Sequence, residues 1–336
     1  MILRRLLGVI PAALGFSLLG FLLVHLVPGD PAVAFLGERA TPEAVAALRK
    51  ELGLDRSLPI QMSRYAQRLL LHGDLGVSLR TRNSVAGDLR RAFPATLELA
   101  LAAMLLACLV GIPLGVVAAL KPGSWKDLAA SAFSVTGLSL PVFWVGLVLA
   151  WGLGVHGPGL PFDGRLSADR ELPFLTGLLL LDALGQPAAW WDALRHLVLP
   201  AVTLSIVPMA MLARMTRAQM REVLAEPYIL AARAKGLSPV RILWRHAFPN
   251  ALLPILTTAG LQVGSLLGGA ALTETVFSWP GLGRYLVDAV GSRDFPALQG
   301  ALLVTAAAFL LVNLAVDLGY ALIDPRLRRP ASGTSS

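Results

Sequence analysis

Six stretches of the chain run for 18 residues or more without Asp, Glu, Lys or Arg, at 6–29, 99–120, 128–162, 196–213, 246–273 and 295–316. They are continuous apolar runs, with no strict alternation of apolar and polar positions. A helix rises about 1.5 Å per residue and the hydrocarbon layer is about 30 Å thick, so roughly 20 apolar residues cross it. Backbone donors and acceptors find no water inside a bilayer, which leaves helices or a closed barrel, and a barrel would show short alternating strands. The pattern predicts an all-α integral membrane protein with six transmembrane helices, near 6–27, 96–119, 129–155, 197–213, 250–275 and 297–323. The first run follows Arg4 and Arg5 as in a signal peptide. Its 24 uncharged residues exceed the usual apolar region of about 7–15, so it is read as a retained helix.

Composition fits this class. Of 336 residues 55% are apolar and 15% charged, against about a quarter charged in a soluble domain. The lone Cys108 excludes an intramolecular disulfide and any CxxC metal cluster. With an even number of spans both termini share one side. Lys and Arg number 14 in the 63 residues of that side and 15 in the 130 residues opposite, ten of the latter in one long loop that weighs little. Both termini are therefore expected in the cytoplasm. The formal net charge of +8 belongs to that face, where anionic lipid explains it, and no nucleic-acid motif appears.

The chain divides into a first span with an outer extension (1–95), a core of five spans (96–325) and a tail (326–336). In the extension, Thr41 and Pro42 open a helix as N-cap and first residue, Glu43 suits its positive end and Gly53 stops it. Val45, Leu48 and Leu52 share one stripe. In the third loop, Phe174 to Leu181 is too short to span and is read as an interfacial or re-entrant helix beside the anchor Trp190–Trp191. In the last outer loop, Pro280 and Gly281 supply a turn next to Trp279, and Arg284 and Asp288 are spaced as an i,i+4 pair. That loop can enter a translocation pathway, or cap the bundle at headgroup level through Trp279 and Tyr285.

The cytoplasmic segment 214–249 carries most information. Glu226 and Pro227 start a helix through Lys235, and Gly236 supplies a left-handed C′ residue. Ser238 and Pro239 start a second helix in which Val240, Leu243, Trp244 and Ala247 follow i, i+3, i+4, i+7, until Pro249 is expected to end it. Ala231, Ala232 and Gly236 leave little bulk at the elbow. Such a rod can lie on lipid, pack on its own bundle, or insert into a soluble partner.

Catalytic motifs are missing: the chain has no Walker A sequence, no HExxH, no GxSxG and no dinucleotide fingerprint. Only Glu98, Glu274 and Asp317 fall within the predicted spans, fewer acids than a proton-coupled carrier needs. Glu98 and Glu274 lie near outer ends and are read as structural. Asp317, with Asn313 one turn earlier, should face the bundle interior.

The elbow resembles the signature of inner-membrane permease subunits of ABC importers: Glu-Ala-Ala, three residues, Gly, nine residues, then Ile-x-Leu-Pro. Here Leu230-Ala231-Ala232 precedes Gly236 and Pro249 at matching spacing, with Leu230, His246 and Phe248 departing from the consensus. Further segments resemble the dipeptide/oligopeptide/nickel branch: Val27–Pro31, Leu52–Asp55, His72–Gly76, Ala95–Glu98, Arg214–Arg217, Ala232–Gly236, Thr273–Gly281 and Arg293–Pro296. The third loop, with Gly164–Ser167 and Leu175–Leu178, looks most like the dipeptide permease subunit.

This resemblance implies a type I ABC importer permease fold in the bacterial inner membrane. It implies a second permease subunit (a heterodimer), two ATPase subunits that bind the ATP, a periplasmic or lipid-anchored solute-binding protein, and a short-peptide cargo. The chain itself would carry no cofactor, metal or catalytic residue. The ATPase-coupling residues would be Ala231, Ala232, Gly236, Leu237, Val240, Leu243, Trp244 and Pro249, and the outer gate or scoop would include Trp279, Pro280 and Gly281. Oligopeptide, glutathione or nickel cargo is the alternative within the class. A stand-alone secondary transporter or a membrane scaffold without transport activity is the alternative outside it.

Overall fold

Thirteen helices account for nearly all regular structure in the computed structural model, which describes residues 31–36, 40–157 and 159–323 together with positions 15, 18 and 22. The remainder of the predicted span 6–27, the tail 326–336 and the side chain of Asp317 lie outside the described residues. Among those described there is no strand, only an isolated antiparallel bridge between Val77 and Ser84. The outer extension forms α1 (Pro31–Leu36), α2 (Pro42–Leu52) and α3 (Leu58–His72). The core follows as α4 (Val85–Leu120), α5 (Trp125–Ser139), α6 (Val142–Leu149) and, after a long loop, α7 (Leu179–Asp182) and α8 (Pro187–Leu224). Then come α9 (Pro227–Ala234), α10 (Pro239–Gly269), α11 (Ala271–Val276), α12 (Leu282–Gly291) and α13 (Phe295–Ile323).

Four of these are long and apolar enough to cross a membrane, α4, α8, α10 and α13, and the bent pair α5–α6 makes a fifth if it is one span. Most expected boundaries move outward because charged residues, which end an uncharged run, do not end a helix; the span predicted to reach 275 instead stops at Gly269, before the separate α11. α8 extends the predicted 197–213 to 187–224, carrying Asp192 and Arg195 at one end and Arg214, Arg217 and Arg221 at the other. α4 likewise begins at Val85 rather than near 96, behind the cap in which Ser84 Oγ accepts the Gly87 N–H.

The predicted span 129–155 is broken. α5 and α6 bend by 104° at Leu140, which is extended (φ −80°, ψ 133°), the conformation favoured before proline; Pro141 then opens α6. α6 ends in a π-helical turn, Ala150–Val155.

The core centres on α8, whose apolar window is 67% buried, against 28–39% for the other three long helices. α4 packs along most of its length. Glycines allow the approach: a Cβ at Gly111 would stand 2.6 Å from the Met209 carbonyl oxygen, and one at Gly137 of α5 would stand 3.1 Å from Ala210 Cβ. Small residues at such crossings are how helices gain contact where lipid offers no hydrophobic drive.

The outer elements are tied down by carboxylates. The α2 cap forms as expected, with Thr41 Oγ1 accepting from Ala44 N at 3.2 Å and Gly53 at φ 71°. Phe174 to Leu181 is not an interfacial helix. Only its last residues enter α7, because Asp182 accepts the N–H groups of Thr176 (2.8 Å) and Gly177 (2.9 Å) and the Thr176 hydroxyl (2.6 Å), winding the stretch into a loop. Trp190 and Trp191 begin α8 instead, Trp191 being exposed. Asp288 pairs with Arg80 at 3.0 Å rather than with Arg284.

Candidate functional site

Two regions gather the residues singled out in the sequence. At the end of the core that holds segment 214–249, Glu226 is extended (ψ 144°) before Pro227, which starts α9. The helix closes by two bonds, Gly236 N–H to Arg233 O at 2.9 Å and Leu237 N–H to Ala232 O at 3.3 Å, with Gly236 at φ 75°. This is a Schellman closure, and it requires a residue that accepts the left-handed region. Apart from its two chain neighbours, no atom of the described residues lies within 4 Å of a Cβ placed there, so backbone conformation, not crowding, requires the glycine. Ser238 then caps α10, its Oγ accepting from Arg241 N at 3.4 Å.

Pro249 does not end the second helix. Pro239–Ile242 runs through a π turn, Leu243–Ala247, directly into Phe248–Gly269. Pro249 stands in the first turn after the π segment, where a missing N–H costs least. The expected elbow rod is therefore one end of the long apolar helix that runs to Gly269. The Tyr228 hydroxyl of α9 strengthens the joint: Asn250 Nδ2 donates to it at 3.0 Å and also to the His246 carbonyl at 2.6 Å, to which Tyr228 itself donates at 3.3 Å. Sequence reasoning missed Tyr228 and Asn250, since polar residues 22 apart carry no periodic signal.

The π turn also splits the predicted stripe. Ile229, Ala232, Ile242 and Ala247 join the main core, with Leu237 and Leu243 half-buried against it. Val240 (67% exposed), Trp244 (57%) and Leu230 (57%) face out, and Tyr228 is partly exposed beside them. Ala231, Arg233, Lys235, Arg241, Arg245 and Pro249 are exposed as well. The product is an outward apolar ridge with a basic rim, backed by a packed inner face.

At the opposite end, α11 leads into the turn at Trp279–Gly281. Trp279 is 1% exposed and its indole N–H donates to Ala95 O at 2.9 Å. It is therefore enclosed by this chain rather than presented on its surface. Glu274, fully buried, accepts the Thr96 hydroxyl at 2.5 Å and the Arg284 N–H at 2.8 Å, while Thr96 Oγ1 accepts from Leu282 N at 2.7 Å. A Cβ at Gly281 would collide with the Glu274 carboxylate. Beside this knot Arg165 of the third loop pairs with Glu98 at 2.5 Å, donates to Gly177 O at 3.0 Å and lies over the Trp279 ring at 5.4 Å. Glu98 further accepts Leu180 N–H at 2.8 Å. Of the three expected gate residues only Pro280 is exposed; Trp279 and Gly281 are buried within this chain.

Comparison with known proteins agrees along the whole length. Residues 111–329 match the family described as binding-protein-dependent transport system inner membrane component, and residues 1–100 match its N-terminal companion. The dipeptide transport system permease protein DppB of Escherichia coli (strain K12) is 48% identical over 334 residues, covering 97% of this chain and 98% of that protein. The di/tripeptide transport system permease protein DppB of Pseudomonas aeruginosa (strain UCBPP-PA14) is 47% identical over 328 residues, with 97% of each covered. Escherichia coli (strain K12) also has a probable D,D-dipeptide transport system permease protein, DdpB, 46% identical over 332 residues, covering 97% of this chain and 96% of that protein. Among solved structures, a chain of the inward-facing MetNI methionine ABC transporter superposes with a TM-score of 0.54 at 18% identity, covering 71% of this chain and 97% of that one.

Proposed function

We infer what this chain does from its family: it belongs to the binding-protein-dependent transport system inner membrane components, and it is a transmembrane permease subunit of an ABC importer for dipeptides. In this reading it supplies half of the pathway, pairs with a second permease subunit, and receives cargo from an external solute-binding protein. Two separate ATPase subunits bind the nucleotide, and both termini lie in the cytoplasm. Dipeptide cargo is favoured over oligopeptide, glutathione or nickel by relatives that are 43–48% identical and named for dipeptide transport.

Segment 214–249 transmits the work of the ATPases. The observation that carries this role is the pair Val240 and Trp244, exposed on a helix continuous with the span to Gly269, with Leu230 exposed on the short helix α9 before it. A soluble partner seated on it would cover apolar surface and move α10 as one lever. An ATPase seated on that ridge would expose its joint to a cross-link: Val240→Cys, in a chain with Cys108→Ser, should react with a thiol-directed cross-linker to an ATPase subunit in the assembled importer. Reaction with lipid-phase reagents only would show a rod lying on the membrane and overturn the coupling role.

A further inference from the structure

One ion pair joins α8 to the first turn of α5. Asp127 sits in the first turn of α5, 4% exposed. Its carboxylate accepts the Gly123 N–H at 2.9 Å, while Ser124 Oγ accepts Asp127's own N–H at 3.4 Å. Arg217 of α8 meets it with two donors, Nε to Oδ1 and Nη2 to Oδ2, the latter at 3.0 Å. Two parallel N–H bonds fix the planes of guanidinium and carboxylate, so this pair resists rotation as well as separation. A solvated surface pair would hold little, but here the acid is buried and its remaining capacity is spent on the cap.

Position decides what the pair is for. Arg217 lies where α8 leaves its apolar stretch for segment 214–249, and the same turn is pressed from the other side by α4. A Cβ at Gly115 would stand 2.6 Å from Thr216 Cβ and 3.0 Å from Arg217 N. At the far end of α5, Gly137 packs on Ala210 and Ile206. α5 is thus fastened to α8 at both ends, and its outer end is the 104° corner that leads to α6. α6 in turn packs through Gly146 on Thr203 and on Phe277 at the end of α11.

We infer that Asp127 and Arg217 are positioning residues for transport: their bidentate pair makes α5 ride with α8, so displacement of the coupling segment reaches the corner at Leu140–Pro141 and the outer turn beyond it. Neither side chain touches cargo. The inference rests on the reading of segment 214–249 as the part driven by the ATPases. Without the pair, the first turn of α5 no longer follows α8, although the Gly137 end stays packed, and nucleotide hydrolysis proceeds with little transport.

The test uses the assembled importer in vesicles, comparing wild type, Asp127→Asn, Arg217→Gln and the double variant. Peptide uptake per ATP hydrolysed should fall about tenfold in each single variant and no further in the double, because all three break one link. A purely structural pair would lower the melting temperature and leave that ratio unchanged, which overturns the inference. If Asp127→Asn does not assemble, Arg217→Lys decides, since it keeps the charge and gives up the second donor: an unchanged ratio overturns the proposal.

A second readout needs no cargo. Spin labels at Leu128 and Ala218, in a chain with Cys108→Ser, should report one distance that ATP does not alter in wild type and that spreads or shifts with ATP in Arg217→Gln. A distance that behaves identically in both overturns the clamp even if the complex carries no dipeptide at all. Failure of wild-type uptake with the expected label behaviour would instead count against the functional reading.

Discussion

The guanidinium of Arg165 bridges Glu98 and the ring of Trp279, 2.5 Å from the carboxylate and 5.4 Å from the ring centre. Through it the third loop, the outer part of α4 and the last outer turn share one buried contact. Arg165 and Glu98 side chains are 12% and 7% exposed, so removing either leaves a charge without its partner. Arg165→Met should destabilise the purified protein by about 3–5 kcal/mol, whereas Glu98→Gln with Arg165→Met should recover much of that loss. Thermal unfolding in detergent of the singles and the double checks it; additive losses would contradict the pairing.

Trp279 fills the space behind that contact. Trp279→Ala removes a fully buried indole and should cost about 3–5 kcal/mol. Trp279→Phe keeps most of the volume and forfeits the bond to Ala95 O, which retains its place in α4; its cost should be nearer 1 kcal/mol. The ranking of melting temperatures, wild type above Phe above Ala, is the check.

Asp182 organises the third loop by charge. Burial raises its pKa, but the Thr176 hydroxyl and the N–H groups of Thr176, Gly177 and Leu175 outweigh this and hold it below the ordinary value. A depressed carboxyl contributes stability above its unfolded pKa, about 3.9, and loses it as pH falls through the folded value. The loop should therefore be as protected at pH 5 as at pH 8 and open only in stronger acid. In Asp182→Asn the amides of Thr176 and Gly177 should exchange faster at neutral pH, as hydrogen exchange measures; wild-type rates in that variant would remove the role of the charge.

How much of this was visible in the sequence follows from the kind of signal each feature leaves. Within the described residues uncharged runs located four long apolar helices and the bent pair α5–α6, and the Thr41, Gly53 and Gly236 caps were legible because local chemistry dictates them. Boundaries failed where charged side chains continue a helix past the hydrocarbon, as at Arg217. The corner at Leu140–Pro141 went unremarked because an uninterrupted apolar run masks a break, although the Pro141 signal was present. Pro249 misled in the opposite sense, since a π turn absorbed a residue that ordinarily ends a helix. Contacts such as Glu98 with Arg165, 67 residues apart, have no periodic trace and need the fold to be seen.

At Gly236 the structure separates two costs. With no atom of the described residues beyond its chain neighbours within 4 Å of the Cβ position, Gly236→Ala costs only the left-handed backbone, about 1–2 kcal/mol, and should keep most transport. Gly236→Pro cannot adopt φ 75°, because the ring fixes φ near −65°. It should leave ATP hydrolysis in the assembled importer while abolishing peptide uptake. Normal uptake by the proline variant would contradict the lever.

The central claim is that the chain is a gate driven from outside itself. The measurement that tests it most directly is accumulation of labelled dipeptide by sealed vesicles holding either the purified chain alone or the chain with its second permease, ATPases and binding protein. The account predicts no accumulation by the chain alone under any ion gradient, and accumulation by the full assembly that stops when ATP is withheld. Uptake by the solitary chain would contradict it.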